Sequence, residues 1–375
     1  MSAIRPFTLN IPQVELDDLK ARIDLTRWPD KEPVNDWSQG TPLAALQDLL
    51  AYWRSDYDWR ACEARLNALG QFMTEIDGVD IHFLHIRSAR ADALPLIMTH
   101  GWPGSVIEFM GVIDELTNPV DSAAPAFHLV LPSLPGYGFS GKPTETGWGV
   151  EKIGRAWGQL MARLGYVRWF AQGGDWGSAV TTAIAVQQVA GCAGIHLNMP
   201  IGRPTEDDLS NPTPAELKAL GALKHYQDWD SGYSKQQQTR PQTVGYGLVD
   251  SPAGLAGWIL EKIWAWTDNG GSPWDALSRD QVLDNIMLYW LPRNGASSAR
   301  LYWESFGSFA PRQIDLPVGV SIFPHEIMRP PRVWAERTMP NIIHWNELDK
   351  GGHFAAWEQP DLYVEEVRTC FRKLR

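Results

Sequence analysis

The sequence predicts an α/β fold: a mostly parallel, eight-stranded sheet with helices on both faces, a helical cap and an N-terminal helical extension. Short β-rich runs begin at Phe72 and alternate with helical stretches, which is typical of parallel sheets. Helical patterns alone precede Phe72, and strand signals disappear again between Arg203 and Leu316. We therefore divide the chain into extension, first core part, cap and second core part at residues 1–71, 72–202, 203–316 and 317–375.

The N-terminal extension is predicted to contain amphipathic helices. Leu16, Leu19 and Ile23 lie three and four residues apart, which places them on one helix face. Thr41 and Pro42 form a typical N-cap and first helical position, so a second helix is expected to begin there. No strand of the main sheet is expected in this extension.

The core is predicted from β-rich runs that are separated by turn residues and helices. Asp77-Gly78 joins the first two runs and is typical of a tight hairpin turn, so these strands are expected to be antiparallel. Helices are expected in the cap, for example at Pro252–Thr267 and Val282–Leu291. The eight predicted strands are Phe72–Glu75, Val79–His85, Leu96–Thr99, His128–Leu131, Trp169–Gln172, Ile195–Asn198, Val318–Phe323 and Ile342–Trp345.

Charge and cysteine content exclude several classes of protein. The chain has 375 residues and a net charge of −11 without a run of Lys or Arg, which argues against a nucleic-acid partner or an anionic membrane surface. The N-terminus lacks the apolar segment of a signal peptide or membrane anchor. Cys62, Cys192 and Cys370 are too widely separated for a metal site and are typical of a reducing compartment. We expect a cytoplasmic protein; no signal for an oligomeric state is present.

A glycine-rich segment at Gly136–Pro143 resembles two nucleotide-binding patterns. It matches G-x-G-x-x-G, and it misses a Walker A motif because Pro143 stands in place of Ser or Thr. No helix opens directly after it, so no helix N-terminus is available to receive a phosphate group. We interpret the segment as a loop at the end of a strand. The histidines also lack metal-ligand spacing, so neither a cofactor nor a metal is expected.

The segment Gly173–Gly177 carries the strongest chemical signal. It reads Gly-Gly-Asp-Trp-Gly between a predicted strand and a predicted helix, which is the pattern of the nucleophile elbow in the α/β-hydrolase fold, with Asp175 at the position of the usual Ser. Small residues on both sides allow the backbone to turn sharply. Asp is also a favoured helix N-cap, so the motif alone fits a cap and a nucleophile equally well.

Two further segments favour the nucleophile. The run His100–Ser105 follows a predicted strand, where an α/β-hydrolase carries one oxyanion-hole donor; the two donors here would be the backbone N–H groups of Trp102 and Trp176. His353 follows the last predicted strand, where the general base belongs. The chain order of nucleophile, acid and histidine is thus that of the α/β-hydrolases.

The carboxylate that orients the histidine has several candidates. Glu326 follows the strand that ends at Phe323 and precedes His353, which is the expected place. Glu347 and Asp349 lie in the loop of the histidine itself, which disfavours them. A second candidate site is the acidic run after the strand Ile195–Asn198, which contains Glu206, Asp207 and Asp208.

An aspartate nucleophile restricts the chemistry. A serine that attacks an alkyl carbon forms an ether, which water does not readily cleave, whereas an aspartate forms an ester. Water activated by His353 can hydrolyse that ester. Asp175 therefore favours substrates attacked at an sp³ carbon, chiefly epoxides and alkyl halides.

The chain resembles epoxide hydrolases of the microsomal and juvenile-hormone type over nearly its whole length. The resemblance implies Asp175 as nucleophile, Glu326 as orienting acid and His353 as base. It also implies two cap tyrosines, Tyr233 and Tyr302, that donate to the epoxide oxygen. The matching segments are residues 25–29, 57–60, 74–78, 100–105, 173–178, 323–326 and 351–356.

We expect a cofactor-independent enzyme whose partners are a small apolar epoxide and water, and whose product is a vicinal diol. Microsomal relatives begin with a membrane anchor that this sequence lacks, so a soluble, bacterial-like member is expected. One alternative is a haloalkane dehalogenase, in which the Trp176 indole would bind halide; Trp102 and the two cap tyrosines argue against it. Another is an α/β-hydrolase relative that binds a small ligand without catalysis. Such a relative should have lost a catalytic group, whereas all five catalytic positions here carry competent residues.

Overall fold

The structure is a computed structural model that describes residues 3–305 and 307–375. Its strands form one sheet in the spatial order β1-β2-β3-β5-β4-β6-β7-β8-β9. The first three pairings, β1 with β2, β2 with β3 and β3 with β5, are antiparallel, and all later ones are parallel. The strands are β1 Arg5–Pro6, β2 Gln71–Ile76, β3 Val79–Ile86, β4 Leu94–Thr99, β5 Phe127–Pro132, β6 Trp169–Gly173, β7 Cys192–Leu197, β8 Val318–Ile322 and β9 Ile342–Glu347.

The eight predicted strands are confirmed as β2 to β9, but the expectation that the extension carries no strand was wrong. β1 pairs with β2 at the sheet edge, with Arg5 opposite Met73 and Pro6 opposite Phe72. A two-residue strand has no alternating pattern to detect, and proline is tolerated at an edge because its missing N–H has no neighbouring strand to serve. The predicted hairpin is confirmed, and Asp77 and Gly78 both have positive φ, at 49° and 82°.

The helices cover both faces of the sheet and fill the segment between β7 and β8. They are α1 Gln13–Asp24, α2 Leu43–Ser55, α3 Trp59–Asn67, α4 Ile113–Thr117, α5 Val150–Arg163, α6 Asp175–Val186, α7 Glu206–Ser210, α8 Pro214–His225, α9 Gly232–Thr239, α10 Pro241–Asp250, α11 Pro252–Trp266, α12 Arg279–Trp290, α13 Gly295–Glu304, α14 Arg332–Glu336, α15 Ala355–Glu358 and α16 Pro360–Arg372. Shorter 3₁₀ helices occupy Val106–Val112 and Pro273–Asp275, and a π-helix occupies Tyr226–Asp230.

The start of α2 differs from the prediction by one position. Pro42 is the N-cap, with φ −61° and ψ 141°, and the helix begins at Leu43. The Thr41 hydroxyl donates instead to the carbonyl of Gly257 in α11, at 2.9 Å. The Thr41 side chain, which local sequence predicts as a helix cap, therefore makes a tertiary hydrogen bond instead.

The carboxyl ends of the parallel strands meet at one edge of the sheet. Thr99 at the end of β4 pairs with Gly173 at the end of β6, and Gly173 pairs with Leu197 at the end of β7. The chain segments that follow these strands are therefore neighbours in space. In open α/β sheets, ligand sites lie at this edge.

The inserted helices α7 to α13 are fastened to the N-terminal extension. The Arg22 guanidinium in α1 lies 2.8 Å from the Asp250 carboxylate at the end of α10. Asp284 in α12 is buried; it accepts a hydrogen bond from the Tyr57 hydroxyl at 2.8 Å and pairs with Arg65 of α3. The extension thus packs along the insertion as well as against the sheet. Over the described ranges, no helix has the length and apolar character needed to cross a membrane.

Candidate active site

The turn between β6 and α6 is closely packed. Asp175, the first residue of α6, has a positive φ of 48°. A side chain at Gly173 would overlap the carbonyl of Gly177, and one at Gly177 would overlap the carbonyl of Thr99. Only glycine fits at both positions, because there is room for a hydrogen atom but not for a Cβ. The turn projects the Asp175 carboxylate over the strand ends.

The loop after β4 supplies a backbone donor to this carboxylate. The Trp102 N–H donates to Asp175 Oδ1 at 2.7 Å. Helix α12 holds the loop: the Asn285 amide donates to the Pro103 carbonyl and the Tyr289 hydroxyl to the Gly104 carbonyl, both at 2.7 Å. Trp176 is the second residue of α6, where a backbone N–H has no partner within the helix. The Trp102 N–H is therefore the backbone donor that the structure places on the carboxylate, and the role of the Trp176 N–H stays a prediction.

His353 lies between two carboxylates. Its Nδ1 is 2.6 Å from Glu326 Oε1, and its Nε2 is 3.4 Å from Asp175 Oδ2. Burial alone would lower the pKa of this imidazole, but the charges of Glu326 and Asp175 outweigh burial and raise the pKa well above its usual value. The imidazolium form is thereby favoured while both carboxylates are charged.

The loop that carries His353 is fixed by the end of α11. The His353 N–H donates to the Trp266 carbonyl at 2.9 Å, and the Trp266 ring contacts the imidazole edge-on at 5.1 Å between centroids. Asp268 accepts from the Gly351 N–H at 2.7 Å. Glu358 accepts from the N–H of Asp268, also at 2.7 Å. The inserted helices thus hold the imidazole in place.

The structure separates the other acidic candidates from the imidazole. Asp208 makes two hydrogen bonds with Arg337, at 2.6 and 2.8 Å. Glu206 and Asp207 lie with it on the exposed helix α7, which carries no buried residue. Glu347 and Asp349 are exposed. The carboxylate beside the imidazole is that of Glu326, as the position after β8 predicts.

Two tyrosines of the insertion face Asp175 across a cavity of about 350 Å³. The ring of Tyr233 stacks on that of Trp102 at 4.7 Å between centroids, and the ring of Tyr302 meets that of Trp176 edge-on, also at 4.7 Å. Burial raises the pKa of both phenols well above 10, so each keeps its proton at neutral pH. Tyr302 Oη makes no hydrogen bond within the described chain, so it is available as a donor.

Sequence reasoning missed two residues near the carboxylate. Tyr226 lines the same cavity, and its hydroxyl lies 3.2 Å from that of Tyr233. The separation of seven residues, about two helical turns, could have suggested this pair. Glu108, in the 3₁₀ helix after the Trp102 loop, lines a small second cavity with Asp175 and His353. The sequence offered no signal for Glu108.

Comparisons with known proteins agree with this geometry. The family described as "Epoxide hydrolase N terminus" matches residues 4–109, and the family described as "alpha/beta hydrolase fold" matches residues 95–248. A Stigmatella aurantiaca protein named "Putative epoxide hydrolase" is 56% identical over 99% of this chain and 86% of its own length. "Epoxide hydrolase 1" of Oryctolagus cuniculus is 34% identical over 97% of this chain and 88% of its own length.

Solved structures give the same result. The juvenile hormone epoxide hydrolase of the silkworm Bombyx mori superposes with a TM-score of 0.93 and 32% identity, over 100% of this chain and 96% of the other. The epoxide hydrolase of Aspergillus niger gives a TM-score of 0.90 and 33% identity, over 100% and 97%. The resemblance predicted from sequence motifs is confirmed, and a haloalkane dehalogenase is not favoured. The chain has the α/β-hydrolase fold and belongs to the epoxide hydrolase family.

Proposed function

We propose that this enzyme hydrolyses a small apolar epoxide to a vicinal diol through an ester on Asp175, without a cofactor. The observation that carries the proposal is the arrangement around the 350 Å³ cavity. A carboxylate held by the Trp102 N–H lies on one side, and the tyrosine hydroxyls of Tyr233 and Tyr302 lie on the other. This places a nucleophile and two proton donors around one space for an epoxide ring.

In the first step, an oxygen of Asp175 attacks an epoxide carbon. The ester bond forms as the ring carbon–oxygen bond breaks, and the ring oxygen takes a proton from Tyr233 or Tyr302, which becomes a phenolate. An alkoxide is a stronger base than a phenolate, so the ring oxygen takes this proton even though burial raises the pKa of both tyrosines.

In the second step, water attacks Cγ of Asp175 and gives a proton to His353 Nε2. The N–H groups of Trp102 and Trp176 hold the oxyanion. The intermediate collapses as the bond from Cγ to the alkyl oxygen breaks, and that oxygen takes the proton from His353 to complete the diol. The new carboxylic acid returns its proton through solvent to the phenolate, which restores both groups.

The change of charge on Asp175 supports a base role for His353. Before the first step, the Asp175 and Glu326 charges raise the pKa of the imidazole. The ester is neutral, so one of the two favourable charges disappears and the pKa falls. His353 thereby releases its proton to solvent and acts as a free base in the state in which water must be activated, and it takes a proton back from solvent once the Asp175 carboxylate is restored. Glu326 keeps Nδ1 protonated and oriented throughout.

We extend the proposal to the domains and location of the protein. Residues 203–316 act as a cap because they supply both tyrosines, residues 1–71 brace that cap, and residues 72–202 with 317–375 form the core. The free thiols of Cys62, Cys192 and Cys370 fit the reducing cytoplasm. The charge of −11 disfavours nucleic acid as a partner.

Isotope labelling in a single turnover tests the ester. With enzyme in excess over styrene oxide in H₂¹⁸O, one heavy oxygen should enter Asp175 while the diol stays light, because the diol receives an old carboxylate oxygen. Peptide and product mass spectrometry measure both. The variant Asp175→Asn is the control and should show neither label nor turnover. Heavy diol with an unlabelled Asp175 would exclude the covalent route.

A further inference from the structure

A second, small cavity of about 20 Å³ lies against the reacting carboxylate. Among the described residues, Asp175 is the only one that lines both this cavity and the larger one that faces the tyrosines. His353 lines the small cavity but not the large one. A space of this size accepts one water molecule, provided that polar groups surround it. We call it the inner chamber.

Two buried polar atoms at the wall of the inner chamber have no hydrogen-bond partner in the described chain. They are Gln172 Oε1 and Tyr363 Oη, and each residue is 1% exposed. The other end of the Gln172 amide is fixed, since its Nε2 donates to Asn198 Oδ1 at 2.6 Å. An unpartnered buried polar atom costs about 1–3 kcal/mol, so a polar group is expected to complete these sites.

Glu108 lines the chamber together with residues of the Trp102 loop. A side chain at Gly104 would overlap the Glu108 carboxyl group, so the glycine makes room for it. Burial, reinforced by the Asp175 charge, raises the pKa of Glu108 to about 8 although His353 opposes the shift. At neutral pH this residue is therefore a carboxylic acid that can both donate and accept a hydrogen bond.

We propose that the inner chamber holds the water that hydrolyses the Asp175 ester, and that Glu108, Gln172 and Tyr363 position it. This inference rests on the proposed function. The water directs one hydrogen to Gln172 Oε1 and the other to His353 Nε2, and its two lone pairs accept hydrogen bonds from Glu108 and Tyr363. One of these two bonds is given up when its lone pair attacks Cγ of Asp175. Its proton passes to His353, as in the second step above.

The arrangement separates the two reactants. The epoxide occupies the larger cavity, and the water waits in a chamber that shares only Asp175 with it. Losing a positioning group should therefore slow the second step without affecting the first. A side chain that merely supports the fold would change both steps together.

Single-turnover kinetics of Glu108→Met, Glu108→Gln and Tyr363→Phe test the proposal. Formation of the ester is followed by the tryptophan fluorescence of the site, and its decay by rapid quenching and mass spectrometry, with styrene oxide as the probe. We expect ester formation within about 2-fold of the wild type and ester decay about 10- to 100-fold slower in Glu108→Met and Tyr363→Phe. Glu108→Gln, which keeps a donor and an acceptor, should recover most of the decay rate.

Thr181→Val is the matched control. Thr181 Oγ1 is also buried without a partner in the described chain, but Thr181 does not line the chamber. This variant should keep both rates. The proposal is overturned if ester decay is unchanged in Tyr363→Phe and Glu108→Met, if both steps slow equally, or if Glu108→Gln is as slow as Glu108→Met. Should Glu108→Met fail to fold, the near-isosteric Tyr363→Phe decides alone. Absence of any ester in the wild type would instead overturn the proposed function.

Discussion

Asp175 influences both its neighbours through one charge. Its Oδ1 accepts from the Trp102 N–H at 2.7 Å, and its Oδ2 lies 3.4 Å from His353 Nε2. The same carboxylate that would attack an epoxide therefore also holds a proton on the imidazole. The two events are linked because alkylation removes the charge that retains the proton.

Asp175→Asn should lower the pKa of His353. The substitution keeps the shape and removes one of the two charges that raise this pKa, so the pKa should fall towards its usual value. Histidine-selective NMR titration measures it. His82, whose pKa burial lowers to about 3, is an internal reference and should titrate as in the wild type. An unchanged His353 pKa would contradict the coupling.

The same shift affects stability with pH. Because the folded pKa of His353 is raised, the imidazolium contributes its full stabilisation below the unfolded pKa of about 6.5 and loses it as pH rises through the folded pKa. In Asp175→Asn the loss should start at the same unfolded pKa, but it should be complete at a lower pH because the folded pKa is lower.

Local motifs predicted some site residues and not others. Asp175 and His353 stand in short glycine-rich runs whose backbone geometry is local, so the sequence indicates them directly. Glu326 follows from its place after β8. Glu108 and Tyr226 depend on where a 3₁₀ helix and a π-helix come to rest against the core, and this is decided by contacts distant in sequence.

At the scale of elements, the site depends on how closely β6 and α6 approach β4. The Gly177 Cα faces the Thr99 carbonyl at the end of β4, with no space for a methyl group. The turn that positions Asp175 therefore depends on the close packing of α6 against the end of β4.

Gly177→Ala should lower the unfolding free energy by about 1–3 kcal/mol through overpacking, and it should reduce turnover because Asp175 moves with the turn. Urea denaturation and steady-state rates measure the two effects. Gly221→Ala is the matched control: this glycine lies within helix α8 with no atom near its missing side chain, so alanine should stabilise by up to about 1 kcal/mol. A tolerated Gly177→Ala would contradict the packing argument.

Elements with a strong local sequence pattern were predicted correctly, and features with a weak local pattern were not. The runs from β2 to β9 are β-rich and bounded by turn residues, so all eight were found. Arg5–Pro6 became a strand only because β2 offered an open edge, and Thr41 lost its capping role to a carbonyl in α11. Both outcomes depend on partners far along the chain.

At the scale of the whole molecule, the N-terminal extension fixes the inserted helices. Its contacts with α10 and α12 combine a buried carboxylate, Asp284, with exposed ion pairs such as that of Arg22 with Asp250. Exposed pairs contribute little, whereas a buried hydrogen-bonded carboxylate contributes more. The buried contact should therefore dominate.

Tyr57→Phe should lower the midpoint of urea unfolding, because it removes the hydrogen bond to buried Asp284 and costs about 1–3 kcal/mol. Tyr52→Phe is the matched control: its hydroxyl donates to Asp280 in the same helix at 2.8 Å, but at the exposed surface, so a change within about 0.5 kcal/mol is expected. Equal losses in the two variants would show that burial does not set the strength of this attachment.

The attachment of the inserted helices to the N-terminal extension also affects how substrate enters the site and how product leaves it. Because the extension anchors the inserted helices, we expect them not to move away from the core as one body. We therefore expect substrates to enter through an opening in the wall of the 350 Å³ cavity. The exposed residues of that wall are Arg203, Gln227 and Gly307, with the half-buried Phe309 among the other lining residues. We expect the width of this opening, more than the depth of the cavity behind it, to determine which epoxides can bind and how quickly their diols dissociate.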